Sequence, residues 1–253
     1  MTKKILSWFS CGAASAVATK LVLQDYGDDN VVVINTDVGS EHPDNERFMR
    51  DAQEWFGVEV QTIKNPKYKD TWDVWAKRRF LVGPAGALCT TELKKNPRYR
   101  VQDEYGPQVY GYTADPKDVQ RAVRFRVQNP EVVLLTPLID QGLTKKDCLG
   151  LLERQGIELP TMYKLGYENN NCIGCVKGGM GYWNKIRRDF PEVFERMRKL
   201  EQDIGASVIR DKDGPVWLGD LDPARGNYKL EPDIECGIIC TSAEENIATE
   251  DLL

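Results

Sequence analysis

Five short apolar segments alternate with amphipathic stretches through the first half of the chain, and this alternation limits the folds open to it. The apolar segments have the length of β-strands, at 4–9, 31–35, 58–63, 108–112 and 132–136. The stretches between them have helical spacing, at 13–26, 44–56, 71–79, 90–104 and 115–127. Because crossovers between parallel strands are right-handed, this order predicts an open, mostly parallel five-stranded sheet with helices on both faces.

The pattern changes after residue 137, where the strand-like segments stop. The sequence predicts a helix at 144–155, an irregular segment at 159–181, a long helix at 182–204 and a surface extension from 205. We therefore expect an α/β domain at 1–140 and a helical, cysteine-bearing C-terminal region at 141–253 that packs on it.

Composition narrows the chemistry of the chain. The 253 residues carry a formal net charge of −5, which argues against nonspecific coating of nucleic acid. One histidine excludes His-rich metal sites, and the seven cysteines are expected to be metal-binding, redox-active or core residues rather than disulfides. No apolar run approaches the roughly 20 residues that span a bilayer, and no secretory signal is recognised. We expect a cytoplasmic protein with no membrane partner, whose cysteines are reduced.

The first strand-to-helix junction, at residues 10–15, has the sequence SCGAAS. Small residues let the backbone approach an anion, and the N–H groups at a helix start stabilise negative charge. The hydroxyls of Ser10 and Ser15 add hydrogen-bond donors. The loop matches neither the Walker pattern nor the GxGxxG pattern. The alternative is a small-residue turn that only packs a helix onto its strand.

This loop resembles the S-x-G-x-x-S pyrophosphate loop of the PP-loop ATP pyrophosphatases, in the adenine nucleotide alpha-hydrolase-like superfamily, with Cys11 in place of a glycine. The resemblance implies a Rossmann-like PP-loop fold that binds an adenine nucleotide in the first domain, with or without Mg²⁺. The residues implied to hold the phosphates are Ser10, Gly12, Ala13 and Ser15. Residues 35–43 resemble the segment after the family's second strand, which places Asn35, Thr36 and Asp37 beside the adenosine.

A longer resemblance covers residues 136–175. Five segments in the same order are similar to those of the phosphoadenosine phosphosulfate and adenosine phosphosulfate reductases: TPLID, TKKD, LP, YKLGY and CIGC. The resemblance implies reduction of an adenylyl sulfate to sulfite. Residues 111–121 loosely resemble the arginine segment of that family, which implies that Arg121 binds phosphate or sulfate oxygens. The alternative for this region is a solvated helix face.

Cys172 and Cys175 form a C-x-x-C pair in an Asn- and Gly-flanked segment. Such a pair suits zinc, an iron–sulfur cluster or a redox dithiol in a reducing compartment. A tetrahedral site needs two more thiolates, because histidine is scarce. The remaining candidate ligands are Cys89, Cys236 and Cys240. Cys148 lies in an apolar helical stripe and is expected in the core.

The segment 88–97, LCTTELKKNP, resembles both the cysteine segment of cluster-containing adenosine phosphosulfate reductases and the Cys-Thr-x-x-Leu-Lys form of PP-loop enzymes of DNA phosphorothioation. This resemblance implies a [4Fe–4S] cluster, with zinc as the alternative, and implies that Lys94 faces the nucleotide phosphates. The implied ligands are Cys89, Cys172, Cys175 and Cys240.

The segment Glu235-Cys236-Gly237 resembles the reductases' Glu-Cys-Gly-Leu-His tail, although Ile239 stands at the place of the histidine. The resemblance implies that the Cys236 thiolate attacks the sulfur of the adenylyl sulfate and that a thioredoxin-like dithiol releases sulfite. The alternative is that Cys236 and Cys240 both bind metal.

Two other functions stay open at this point. The first is ATP-dependent sulfur transfer to a nucleic acid, which the aromatic and basic segment 178–188 could contact. The second is nucleotide binding without catalysis, because the loop lacks a lysine. The sequence does not decide whether the chain forms a homodimer.

Overall fold

The computed structural model describes residues 3–83 and 86–234. They form two compact units, each assembled from separate chain segments. The first unit contains the residues up to 37, with 42–64 and 97–170, and the second contains 38–41, 65–96 and the residues from 171 on. This division differs from the expected boundary at residue 140, because the chain beyond that residue packs onto the first helix of the sheet.

A five-stranded parallel sheet organises the first unit, as predicted. Its strands are β1 (Ile5–Trp8), β2 (Val31–Asp37), β3 (Val60–Lys64), β4 (Gln108–Val109) and β5 (Leu134–Leu135). They lie in the order β3-β2-β1-β4-β5, and every neighbouring pair is parallel. The chain therefore builds outward from β1 to β3 and then restarts at β4 on the other side of β1.

Helices alternate with these strands along the chain and continue after the last strand. In chain order they are α1 (Ala13–Tyr26), α2 (Asn45–Phe56), α3 (Thr71–Arg78), α4 (Leu88–Thr90), α5 (Asn96–Val101), α6 (Pro116–Gln128), α7 (Pro137–Asp140), α8 (Lys145–Arg154), α9 (Thr161–Lys164), α10 (Met180–Asp189) and α11 (Pro191–Ile204). A π-helical turn occupies Thr91–Lys95, between α4 and α5. The second unit also contains the antiparallel hairpin of β6 (Ile209–Asp211) and β7 (Gly214–Val216).

Alternate side chains of β1 point to opposite faces of the sheet, as its pleat requires. Ile5 belongs to the core formed with α1, α2 and α8, and Ser7 shares a 2.8 Å hydrogen bond with Thr19 of α1. On the other face, the Trp8 indole donates to Gln108 Oε1 at 2.9 Å and its ring stacks on Tyr110. Tyr110 in turn packs on Phe125 of α6, with ring centroids 5.2 Å apart. Helices therefore cover both faces of the sheet, which confirms the predicted architecture.

Two stretches that were each predicted to form one continuous helix are divided into shorter helices in the structure. The stretch 182–204 is split at Phe190 into α10 and α11, because Pro191 has no N–H to continue a helix and instead begins a new one. The stretch 90–104 is divided among α4, the π-helical turn, α5 and a 3-10 turn. Pro97 removes one backbone donor there, so regular α-helical hydrogen bonding cannot run through it.

Residues 205–234 do not lie only on the surface, as a surface extension would, since Leu218 and Leu221 are buried. The carboxylate of Glu201 on α11 accepts hydrogen bonds from Val208 N at 2.6 Å and Leu218 N at 2.9 Å. Burial raises the pKa of Glu201 above its usual value. This one side chain therefore fixes two loops of the second unit to its longest helix.

Within the described part of the chain, no helix has both the length and the apolar character needed to cross a membrane.

Candidate functional site

The loop between β1 and α1 lies where an open parallel sheet offers its ligand site. Such sheets bind ligands at the carboxyl ends of the strands, between neighbouring strands whose connections run in opposite directions. In this sheet those neighbours are β1 and β4. The predicted phosphate loop, residues 10–15, follows β1 directly. The fold therefore places the loop at the topological switch point.

Hydrogen bonds within the loop hold its two serines together. Ser15 Oγ donates to the carbonyl of Gly12 at 2.9 Å and accepts from Ser10 N at 3.1 Å. The two serine hydroxyls are 3.2 Å apart. Gly12 is the N-cap of α1, with no side-chain capping bond and no acidic residue in the first helical turn. The helix therefore starts with no side-chain anion competing for its N–H groups.

Cys11 gives the loop its shape. Its backbone has φ 54, the left-handed region that residues other than glycine rarely adopt. Asn170 Nδ2 donates to the Cys11 carbonyl at 2.7 Å. Asn35 Nδ2 donates to the Phe9 carbonyl at 2.8 Å and lies 3.7 Å from Cys11 Sγ. The thiol of Cys11 packs in the apolar core, so this residue supports the loop rather than presenting sulfur to a ligand.

Gly111, just after β4, lets the backbone approach the start of α1. A Cβ at this position would lie 2.6 Å from Ser15 N and 2.9 Å from Ser15 Cα. Any side chain at Gly111 would therefore displace the first turn of α1 from the sheet. The sequence pattern marked this glycine, but only the structure shows what it contacts.

The predicted adenosine residues differ in their surroundings. Asn35 is buried and bonded to the loop, as described above. Thr36 is also buried, and among the described residues its Oγ1 has no hydrogen-bond partner. Asp37 forms a salt bridge to Lys64 at 2.9 Å, and both side chains are partly exposed. Thr36 thus offers the uncommitted polar atom at the end of β2.

Arg121, predicted to bind phosphate, is already engaged within α6. Its guanidinium pairs with Asp118 at 2.6 Å and lies over the Tyr112 ring, 5.3 Å from the centroid. The hydroxyl of Thr113 donates to Asp118 at 2.8 Å. An anion at Arg121 would therefore meet a carboxylate as well as a cation. Its phosphate-binding role stays a prediction.

Lys94 and Cys89 lie in the second unit, in the π-helical turn and α4 respectively. Both side chains are buried. A buried lysine is uncommon, and π-helical turns often occur at functional positions. Their proposed roles toward phosphate and metal stay predictions.

The hydroxyl of Tyr182 organises the C-x-x-C loop. It accepts hydrogen bonds from Gly174 N at 3.0 Å and Cys175 N at 2.9 Å, and it donates to the Cys172 carbonyl at 3.4 Å. Gly174 has φ 77, as a tight turn between the two cysteines requires. Both thiols are buried. The loop is therefore held by backbone contacts to one hydroxyl.

Tyr182 and Trp183 are both buried, so neither ring is exposed to stack on a base. Lys185, on the same helix, pairs with Asp189 at 2.9 Å. The structure therefore gives no support to nucleic-acid contact through these two aromatic rings.

The last described residues run beside the same loop. Glu231 accepts hydrogen bonds from Gly181 N at 2.5 Å and Tyr182 N at 3.0 Å, at the start of α10. Asn171 Nδ2 donates to the carbonyl of Ile234 at 2.8 Å. Cys236 and Cys240 lie outside the described residues. Their predicted roles as nucleophile and metal ligand are therefore untested.

The described residues do not assemble the predicted cluster site. Among residues 3–83 and 86–234, no group of three or more His, Cys, Asp or Glu side chains is arranged to hold a metal ion. Cys89, Cys172 and Cys175, three of the four predicted ligands, therefore form no such group by themselves, and the described residues do not fit a [4Fe–4S] cluster or a zinc ion. Cys148 is in the apolar core, as predicted, and burial raises the pKa of its thiol to about 12.

Two residues at the phosphate loop had no predicted role. The Tyr163 hydroxyl accepts a hydrogen bond from Ala13 N at 3.3 Å, and Asn170 bonds to Cys11. Both come from the 159–181 segment, more than 140 positions from the loop in sequence. Tyr163 belongs to the YKLGY motif, which was the available signal.

Comparisons with known proteins leave the family open. No family model matches the chain. An uncharacterized protein of Methanocaldococcus jannaschii is 22% identical over 205 residues, which are 78% of this chain and 41% of that protein. The chain thus spans less than half the length of this relative. The crystal structure of phosphoadenylyl-sulfate (PAPS) reductase from Candida auris, a phosphate complex, aligns with TM-score 0.49 and 10% identity, over 67% of this chain and 81% of that one.

The left-handed backbone at Cys11 predicts that a glycine variant at this position is more stable than an alanine variant. We expect the free energy of unfolding of Cys11→Gly to be about 1 kcal/mol higher than that of Cys11→Ala. Both variants lose the thiol, but only the alanine variant keeps the strain of a left-handed backbone. Urea unfolding of the two variants measures the difference.

The matched control for this prediction is the same pair of changes at Cys148, inside α8. There glycine should be less stable than alanine by about 1 kcal/mol. The same order at both positions would show that Cys11 carries no left-handed strain.

Proposed function

We propose that this protein binds an adenine nucleotide by its phosphates at the β1–α1 loop, and that it is an enzyme of the PP-loop class acting in sulfur metabolism. The observation that carries the proposal is the arrangement of the loop. Two serine hydroxyls and the start of α1, whose first turn has no acidic residue, meet at the switch point of a parallel sheet. Hydroxyl donors, N–H groups and the positive helix end all suit phosphate oxygens.

The other contacts of the loop support this assignment. Gly111 brings a second backbone segment against the first turn of α1, where a Cβ would clash. Cys11 is held in a conformation that costs free energy, by side chains from two distant segments. Strain of this kind is concentrated at functional sites. A turn that merely packed a helix on its strand would need neither feature.

The reaction we propose is reduction of an adenylyl sulfate to sulfite. The Cys236 thiolate would attack the sulfur, forming an S–S bond while the S–O bond to the adenosine phosphate breaks and that phosphate leaves with the electron pair. One thiol of a thioredoxin-like dithiol would then attack the Cys236 sulfur, so that sulfite leaves with the S–S electron pair and a mixed disulfide forms. The second thiol would attack this mixed disulfide, which releases the Cys236 thiolate and leaves the dithiol oxidised to a disulfide. Support comes from the tail resemblance and from the bond between Asn171 and Ile234, which holds the chain next to Cys172 two residues before Cys236.

One observation favours a second candidate, ATP-dependent sulfur transfer to a nucleic acid. The segment Cys89-Thr90 to Leu93-Lys94 matches the form found in PP-loop enzymes of DNA phosphorothioation better than the reductase form. This activity would convert ATP to AMP and pyrophosphate, whereas the reductase would not. A protein that binds the nucleotide without turnover would form neither AMP and pyrophosphate nor sulfite.

The first test is nucleotide binding by Ser15→Ala. The variant should bind ATP about 10- to 100-fold more weakly, because it loses the hydrogen bonds that hold Gly12 and Ser10 in the geometry of the loop. Isothermal titration calorimetry measures the dissociation constants. Ser207→Ala, in a turn of the second unit, is the matched control and should bind as the wild type does. An unchanged constant for Ser15→Ala would remove the loop from the nucleotide site.

The second test separates the reactions. Wild-type protein with a thioredoxin system should release sulfite from an adenylyl sulfate, and Cys236→Ser should not, because serine is a much weaker nucleophile. Cys148→Ala is the control, since this thiol lies in the core. Formation of AMP and pyrophosphate from ATP, without sulfite, would favour sulfur transfer instead.

The third test is for the cluster. Anaerobically purified wild-type protein should contain about four irons per chain and absorb visible light, whereas Cys172→Ala should lose both. Cys148→Ala should keep its iron. Wild-type protein that binds zinc, or no metal, would contradict the iron–sulfur prediction.

A further inference from the structure

The hydroxyl of Tyr163 lies at the start of α1, within the first unit. It accepts a hydrogen bond from Ala13 N at 3.3 Å, and a second from the backbone of Asn170. A Cβ on Gly12 would lie 3.4 Å from the same oxygen. This side chain, from α9, therefore stands directly beside the proposed phosphate site.

The proton of this hydroxyl is committed to no described residue. A phenol oxygen accepts up to two hydrogen bonds and donates one. Among residues 3–83 and 86–234, both hydrogen bonds of the Tyr163 hydroxyl are ones that it accepts. Two N–H groups on one side leave the O–H bond to point elsewhere. A donor held in this way at a helix start suits an anionic oxygen.

A second buried group at the loop also has unused hydrogen-bonding capacity. Asn170 is 6% exposed, and its Nδ2 donates to the Cys11 carbonyl and to Asn45 Oδ1, both at 2.7 Å. Its Oδ1 has no partner in the described part of the chain. Buried polar atoms are nearly always satisfied, by protein, water or ligand. As an acceptor, this oxygen suits a water molecule or a hydrogen-bond donor of a ligand, and not a phosphate oxygen itself.

We infer that Tyr163 donates its hydroxyl proton to a phosphate oxygen bound at the start of α1, which makes it a further binding residue of this site. The inference rests on the proposed function and adds to it a side-chain donor from outside the loop. The Ser10 hydroxyl and the first N–H groups of α1 belong to the loop itself, whereas Tyr163 approaches it from α9.

Burial keeps this donor in its protonated form. It raises the pKa of Tyr163 to about 12, although the bonds from Ala13 and Asn170 oppose the change. The hydroxyl therefore holds its proton throughout the physiological range. Because the hydroxyl is neutral, it attracts an anionic product less strongly than a positively charged side chain would.

An ion pair on α2 fixes the segment that carries Tyr163. Asp44 accepts from Thr161 N at 2.9 Å, at the start of α9. Arg47 bonds to Asp44 at 2.7 Å and donates to the Glu158 carbonyl at 3.0 Å. The hydrogen bond from Arg47 holds the pKa of Asp44 well below its usual value, so the carboxylate stays charged. Tyr163 is thus positioned before any ligand arrives, which lowers the entropic cost of binding.

The test is a set of titrations with Tyr163→Phe. The variant should bind ATP and inorganic pyrophosphate about 10- to 100-fold more weakly than the wild type, by the same factor for both, because a hydrogen bond to a charged oxygen is lost. Its affinity for adenosine, which has no phosphate, should be unchanged. Tyr26→Phe, an exposed tyrosine in the last turn of α1, is the matched control and should behave as the wild type does.

The outcomes separate this inference from the proposed function. If Ser15→Ala weakens ATP binding and Tyr163→Phe does not, the loop binds phosphate but Tyr163 is not a donor. Equal losses for adenosine and ATP would mean that the hydroxyl only caps Ala13 N, and a lower melting temperature would accompany them. Wild-type protein that binds neither ATP nor pyrophosphate would overturn both.

Discussion

The turn at Cys11 is the constraint on which the rest of the site depends. The chain must leave β1 and enter α1 within a few residues, and a left-handed backbone makes that change of direction. Asn35 from β2 and Asn170 from the chain after α9 hold the turn from two sides. The orientation of the α1 N–H groups, the packing of Gly111 and the approach of Tyr163 all follow from it. The conformation of the loop that we propose to bind phosphate is therefore set by contacts from several segments of the first unit.

Much of this architecture could be predicted from local pattern. The predicted and observed bounds of α1, Ala13–Tyr26, agree, because an apolar face and a following glycine define both its sides and its end. The strand β2 begins at Val31 as expected, since a β-branched run follows a polar turn. The failures have a common cause. Pro97 and Pro191 each lie inside a stretch with helical spacing, and periodicity alone did not show how the chain accommodates a missing N–H.

The candidate site was predictable only in part, for a different reason. Ser10, Gly12 and Ser15 are close in sequence, so their meeting at one loop follows from the strand-to-helix junction itself. Tyr163 and Asn170 reach the same loop through tertiary packing, and no spacing rule connects positions so far apart. The burial of Tyr182 and Trp183 could not be predicted either, because an aromatic pair beside basic residues occurs both on protein surfaces and in cores.

The carboxylate of Glu231 has a consequence for where anions can bind. Helices α1 and α10 both begin after a glycine, and both present the positive end of a helix dipole. At α10 the chain supplies its own anion, since Glu231 takes the N–H groups of Gly181 and Tyr182. At α1 the neighbouring side chain is a neutral phenol, and the first helical turn has no acidic residue. Of these two helix starts, the one at α10 is therefore bonded to a carboxylate of the chain itself, whereas the described contacts at the start of α1 are neutral.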